Sequence, residues 1–209
     1  MSLAYKISSF NRRRKYQIFQ KELAPTSADK ILDVGFSDQE YGPDDNFLEK
    51  NYPFPEKLTA LGIDKAEFFL KRYPAVKAVH YDGRQMPFAD KEFDIVWSNA
   101  VIEHVGSRED QLLFLSEIAR VGKKAFITTP NRHFPIEVHT RLPFVHWLPK
   151  KVFDRLVRFV GKDWAAGNYM NLLSRREIVS LLESAGIKDY RLIKNRLGGL
   201  VLDFVILIN

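Results

Sequence analysis

The chain has 209 residues, 45% of them hydrophobic and 16 of them phenylalanine, enough for one sizeable core and within the usual size of a single domain. The absence of cysteine excludes a disulfide framework, a thiolate metal site and a cysteine nucleophile, and is compatible with a cytoplasmic setting. The formal charge of +6 points to an anionic partner, but the excess is local: Lys6, Arg12, Arg13, Arg14, Lys15 and Lys21 stand against Glu22 alone in the first 24 residues.

That segment, within residues 1–27, reads as a basic N-terminal helix whose apolar side is Tyr16, Phe19 and Leu23. Nucleic-acid binding would also require aromatic stacking platforms or a known module; neither occurs, so nucleic acid is not an expected partner. The pattern then alternates as in an α/β sheet of mostly parallel strands. Lys30 to Val34 is the first expected strand, 43–51 a short helix, 58–63 the second strand, 65–73 a helix and 76–81 the third strand. Phe93 to Trp97 is a fully buried fourth strand, and 109–120 a helix with Leu112, Leu113, Leu115, Ile118 and Ala119 as its core stripe. Ala125 to Thr128 is the fifth.

After residue 130 the alternation stops. Residues 131–170, with Pro135, Pro143 and Pro149, read as an insertion forming a lid. Within it 150–160 is an amphipathic helix, with Val152, Phe153, Leu156, Val157 and Val160 opposite Lys151, Asp154, Arg155 and Arg158. Ser174 followed by Glu177 is a capping-box pattern opening a last helix that Ala185-Gly186 ends. Strands near 187–194 and 200–208 complete seven. The apolar run at 204–208 is too short to cross a bilayer, and the basic N-terminus has no apolar signal segment behind it, so a soluble chain is expected.

In an open α/β sheet, ligands bind beyond the carboxyl ends of the strands. The residues leaving those ends are Asp33 and Gly35, Asp64, Asp82, Ser98 through Glu103, and Thr129 onward. Asp33-Val34-Gly35-Phe36-Ser37-Asp38-Gln39-Glu40 carries too much negative charge for a pyrophosphate and suits a cationic ligand. Asp64 can accept from ribose hydroxyls and Asp82 from an exocyclic amine. Each also has a plain structural use: Asp33 as a loop cap, Gly35 for its backbone, Asp64 as a helix N-cap, Asp82-Gly83 as a turn.

These stretches, ILDVG, LGIDK and YDGRQMPFADKEFDIVWSNAVIEHV, resemble the class I S-adenosylmethionine-dependent methyltransferases in ordered spacing over about 28–130 and the terminal strands. The resemblance implies a Rossmann-like seven-stranded sheet, mostly parallel with an antiparallel last strand and helices on both faces. It also implies S-adenosyl-L-methionine as cofactor, held by Asp33, Gly35, Ser37, Asp64, Asp82, Ser98 and Asn99. Ser37 and Gln39 depart from the family's glycines. That leaves open a weaker or reshaped cofactor loop, or an inactive chain that keeps the fold.

Methyl transfer to a hydroxyl needs a base, and the candidates leaving strands four and five are Glu103-His104, His133, Glu137 and His139. The IEHV and TPN elements are similar to small-molecule O-methyltransferases, and to small-RNA 2′-O-methyltransferases whose carboxylate and histidine ligands hold magnesium. Ala100 replaces a further glutamate of that RNA group, so no metal site is expected. The stretch 128–143 is similar to bacterial members associated with glycan or lipid-linked intermediates. This implies a small-molecule or lipid-linked acceptor, with Arg132 and Arg141 for phosphate or carboxylate and the basic helix for a membrane surface.

Overall fold

The computed structural model describes residues 3–137, 139–167 and 170–209; Val138, Asn168 and Tyr169 of the expected insertion lie outside the described residues. The elements are α1 (Leu3–Leu23), β1 (Ile31–Val34), α2 (Phe47–Asn51), β2 (Leu58–Gly62), α3 (Glu67–Arg72), β3 (Lys77–His80) and β4 (Phe93–Asn99). They continue with α4 (Arg108–Val121), β5 (Gly122–Pro130), α5 (Lys150–Phe159), α6 (Arg175–Ser184), β6 (Tyr190–Leu197) and β7 (Leu200–Ile208). The strands make one seven-stranded sheet in the order β3-β2-β1-β4-β5-β7-β6. The pairs β1–β2, β2–β3 and β1–β4 are parallel and β6–β7 is antiparallel. This is the Rossmann-like sheet expected, and the strand order reverses beside β1, where such sheets bind ligands.

By its contacts the chain divides into two compact units, Met1–Ser98 with Arg120–Phe126, and Asn99–Ala119 with Ile127–Asn209. In the first, every residue of β1 is buried, as a strand covered on both faces requires. Trp97 and Phe126 stack with centroids 4.8 Å apart, and Phe19 of α1 meets both edge-on at 4.9 and 5.4 Å. Burying that one phenylalanine contributes about 2–3 kcal/mol. The basic run of α1 is largely occupied by the fold: of Arg12 to Lys15 only Arg13 is exposed, and Arg12 reaches Asp45 at 3.7 Å and the Asp44 carbonyl.

In the second unit, β6 and β7 turn through Gly198 and Gly199, both at positive φ, which matches the twist of a two-residue hairpin. The capping box of α6 is present as expected, Ser174 Oγ accepting from Glu177 N and Glu177 Oε2 from Ser174 N at 2.7 Å. The insertion has its own small core of Phe153, Val157, Ala165 and Met170.

Three expectations need correction. β5 begins at Gly122, directly after α4, and not at Ala125. In α4 the buried stripe runs through Gln111, Phe114, Leu115, Ile118 and Val121, a three-to-four-residue repeat that leaves Leu113 exposed. In α5 only Phe153 and Val157 are buried, while Val152, Leu156 and Val160 face out beside Phe159, which is 88% exposed. Among the described residues no helix is long and apolar enough to cross a membrane.

Candidate active site

Of the residues expected to hold the cofactor, all but Asn99 belong to the first unit. Gly35 leaves β1 at φ 104, a conformation open to glycine, and its N–H donates to the Leu61 carbonyl at 2.8 Å. Where further glycines would shape the loop, a side chain clamps it instead. Asn46 Oδ1 accepts from Ser37 N at 2.9 Å, Asn46 Nδ2 donates to the Ser37 carbonyl at 2.8 Å, and Ser37 Oγ donates to the Gln39 carbonyl at 2.6 Å. Asp38 Oδ1 accepts from the N–H groups of Phe68 and Phe69, both at 2.8 Å, and so caps α3. Asp64 therefore is not the cap of that helix. It lines a cleft of about 420 Å³ together with Ser37, Asp38, Gln39, Tyr41, Lys65 and Glu67.

Beneath this loop Asp33 and Glu49 are both buried. Burial pushes the Asp33 carboxyl well above its ordinary range, and the charge of Glu49 pushes it the same way. Burial raises Glu49 as well, and neither of its oxygens finds a hydrogen-bond partner. Ser98 is fully buried with its Oγ unpartnered. Asp82 is exposed, and its Oδ1 accepts from Arg84 N at 2.9 Å in the turn made by Gly83 at φ 82.

The second unit assembles a polar cluster from segments far apart in sequence. Ala100, at φ 59, donates its N–H to the Thr128 carbonyl at 3.0 Å and turns the chain into the short 3-10 turn Ile102–His104. Asn99 Oδ1 meanwhile accepts from Thr128 Oγ1 at 2.8 Å. From the insertion, His139 brings its Nε2 to 3.2 Å from His104 Nε2, with the rings edge-to-face. Glu103 Oε1 lies 4.0 Å from His104 Nε2 and 3.9 Å from His139 Nε2. Glu103 is fully buried; Thr129 Oγ1 donates to its Oε2 at 3.1 Å, and its Oε1 has no hydrogen-bond partner. Burial pushes this carboxyl up against the opposing pull of both histidines.

Glu137 has a different part. Its Oε1 accepts from the His139 N–H at 2.9 Å and pairs with His139 Nδ1 at 2.8 Å, while Oε2 accepts from the Thr140 N–H. Burial alone would raise its pKa, but these bonds outweigh it and hold the carboxyl down at about 2. At neutral pH it stays charged and orients His139. His133 stays outside the cluster: it is exposed, with its N–H bonded to Asn131 Oδ1 at 3.1 Å. The same unit holds a cavity of about 310 Å³ whose walls include Arg108, Arg132, Lys150, Gln111 and His146. Arg141 is not among them.

Residues 51–125 match the family model of the methyltransferase domain. The chain has the fold of the S-adenosylmethionine-dependent methyltransferases. A structure of an S-adenosylmethionine-dependent methyltransferase from Aquifex aeolicus superposes with TM-score 0.60 at 18% identity, over 100% of this chain and 98% of that one. A protein from Pyrococcus horikoshii OT3 gives 0.59 at 15%, over 93% and 86% of the two chains. The geranyl diphosphate C-methyltransferase of Streptomyces coelicolor, solved with Mg2+, geranyl diphosphate and S-adenosyl-L-homocysteine, gives 0.56 at 13%, over 94% and 77%. No curated protein matches the chain in sequence.

The structure brings Ser37 and Asp64 into one cleft, and His104, His139 and Glu137 into one cluster. It leaves His133 at the surface and Asp82 engaged in a turn. Sequence reasoning missed Asn46, Glu49 and His146. Asn46 gave a faint signal, since asparagine tolerates its left-handed φ of 49. His146, whose Nε2 donates to the Phe134 carbonyl at 2.9 Å, looked like one more residue of the apolar LPFVHWLP run.

Proposed function

We propose that the chain transfers the methyl group of S-adenosylmethionine to a hydroxyl of a small-molecule or lipid-linked acceptor, with the cluster of Glu103, His104 and His139 activating that hydroxyl. The cofactor supplies a methyl already electrophilic on a sulfonium, so the protein's residues need to hold, align and deprotonate. In the first unit, the acidic cleft lined by Ser37, Asp38 and Asp64 fits a cationic ligand carrying a diol. Asp64 accepts from the ribose hydroxyls, and Gly35 and the clamped Ser37 loop give the backbone approach, with Asp33 at the end of β1 next to them in sequence. Asp82 keeps its other oxygen for the adenine amine, and Ser98 completes the cofactor side of that unit.

The observation that carries the reading is the buried, partnerless Oε1 of Glu103 beside two partly exposed imidazoles. A buried acceptor without a donor costs about 1–3 kcal/mol, so Glu103 Oε1 calls for a partner that the folded chain itself does not supply. Arg108, Arg132 and Lys150 around the cavity of the same unit favour an acceptor bearing phosphate or carboxylate. The outer face of α5 adds Phe159, Leu156 and Val160 beside exposed Lys151, Arg155 and Arg158, a face suited to an anionic membrane carrying a lipid-linked acceptor.

Transfer of a labelled methyl should be screened over phosphorylated sugars, quinone precursors and polyprenyl-linked intermediates. Turnover with a hydroxyl acceptor, abolished in His139→Ala, is the expected result; turnover only at carbon or nitrogen would overturn the oxygen assignment. Sedimentation with vesicles containing anionic lipid, diminished in Phe159→Ser, is expected for the lipid-linked class. No sedimentation of the wild type would leave the soluble acceptors.

A further inference from the structure

We propose that Glu103, His104 and His139 are the protein ligands of a divalent transition-metal cation, zinc or a metal of similar coordination. The three ligand atoms, Glu103 Oε1, His104 Nε2 and His139 Nε2, all lie within 4.8 Å of one another. Ligands sharing one tetrahedral zinc at about 2.1 Å sit roughly 3.4 Å apart. The observed separations of 3.2, 3.9 and 4.0 Å straddle that value, so a small closure of Glu103 completes the site.

Charge and hydrogen bonding agree with the distances. Two imidazole nitrogens 3.2 Å apart cannot both keep outward protons, and the carboxylate oxygen that faces them is buried with no donor. A cation satisfies all three atoms at once. The supporting contacts are those metal sites use: Glu137 holds His139 Nδ1 at 2.8 Å, fixing the tautomer that turns the Nε2 lone pair inward. Thr129 Oγ1 occupies Glu103 Oε2 at 3.1 Å and leaves Oε1 for the ion. The histidine side chains are 22% and 24% exposed, so a fourth position opens toward solvent, as a catalytic zinc requires. Two nitrogens and one oxygen favour zinc, cobalt or nickel over magnesium, which prefers an all-oxygen shell.

The assignment predicts that Ala100, expected from sequence to leave the ligand set short, is no obstacle, because His139 arrives from the insertion. It builds on the proposed acceptor site only in its consequence: an acceptor hydroxyl in the open position would lose its proton more readily beside the cation.

The test is direct binding on the full chain. Chelator-stripped protein is titrated with Co2+, reading the visible d–d bands, and then with Zn2+ in competition. One ion per chain with tetrahedral-type bands, displaced by zinc, is expected. Glu103→Gln and His139→Ala should each weaken binding by more than tenfold, Glu137→Gln by about tenfold or more, and His133→Ala should leave it unchanged. Circular dichroism verifies that each variant is folded; His139→Ala, altering a partly exposed side chain, serves if Glu103→Gln does not fold. Absence of Co2+ bands in the wild type, or equal affinity in Glu103→Gln and His139→Ala, would overturn the proposal. Metal binding without methyl transfer would instead contradict the proposed function alone.

Discussion

The two compact units place their polar groups by different means. In the first, Asp33, Gly35 and Asp64 leave the ends of consecutive parallel strands, so regular geometry and a short loop locate them. In the second, Glu103 and His104 follow β4 while Glu137 and His139 come from an irregular insertion more than thirty residues later, and the hydrogen bonds among them do the locating. At the strand-end site the loop carrying Ser37 and Gln39 is held by its own hydrogen bonds, Ser37 to Asn46 and to the Gln39 carbonyl. In the second unit the locating bonds are made by the candidate side chains themselves.

The largest effect should therefore appear in the second unit. His104→Ala or His139→Ala is expected to lower kcat by roughly a hundredfold or more while leaving cofactor affinity unchanged. If either variant lost cofactor affinity equally, the division of labour between the units would fail. Next, Asp64→Ala should weaken binding of S-adenosylhomocysteine by about tenfold or more, the worth of charge-assisted hydrogen bonds, with little change in stability because Asp38, not Asp64, caps α3. Calorimetry beside urea denaturation separates the two quantities.

A smaller effect concerns how the first unit is packed. A Cβ at Gly62 would meet the Phe36 ring at 2.7 Å, and that ring already lies 4.5 Å from Phe69. Gly62→Ala should cost about 1–3 kcal/mol of stability; a neutral outcome would mean the strand end gives way more easily than its packing indicates. The smallest is a pH slope. Folded Asp33 keeps its proton to higher pH than the unfolded chain does, chiefly through burial and then through Glu49. Its contribution is thus complete below the unfolded carboxylate range near about 4 and is lost as pH rises through the folded value. Asp33→Asn should consequently gain stability relative to the wild type as pH rises above about 4 without ligand; parallel urea curves at every pH would contradict the raised Asp33 carboxyl.

The parallel core was legible because buried strands write near-continuous apolar runs, and ILDV and FDIVW are such runs. The α6 cap was legible because Ser174 and Glu177 sit three apart and both bonds form. The histidine cluster was only half legible. Its members could be named as leaving strands four and five, but nothing local distinguishes His139, held by Glu137, from the exposed His133. The stripe of α4 shifted for a similar reason: in an apolar LLFL run, sequence does not tell which residues face the core, and packing chose Phe114 over Leu113.

The central claim, a class I fold that still binds its cofactor despite the altered loop, rests most directly on calorimetric titration of the wild-type chain with S-adenosylhomocysteine. Binding in the micromolar range, weakened by Asp64→Ala, is the predicted result; no heat at millimolar ligand would contradict it.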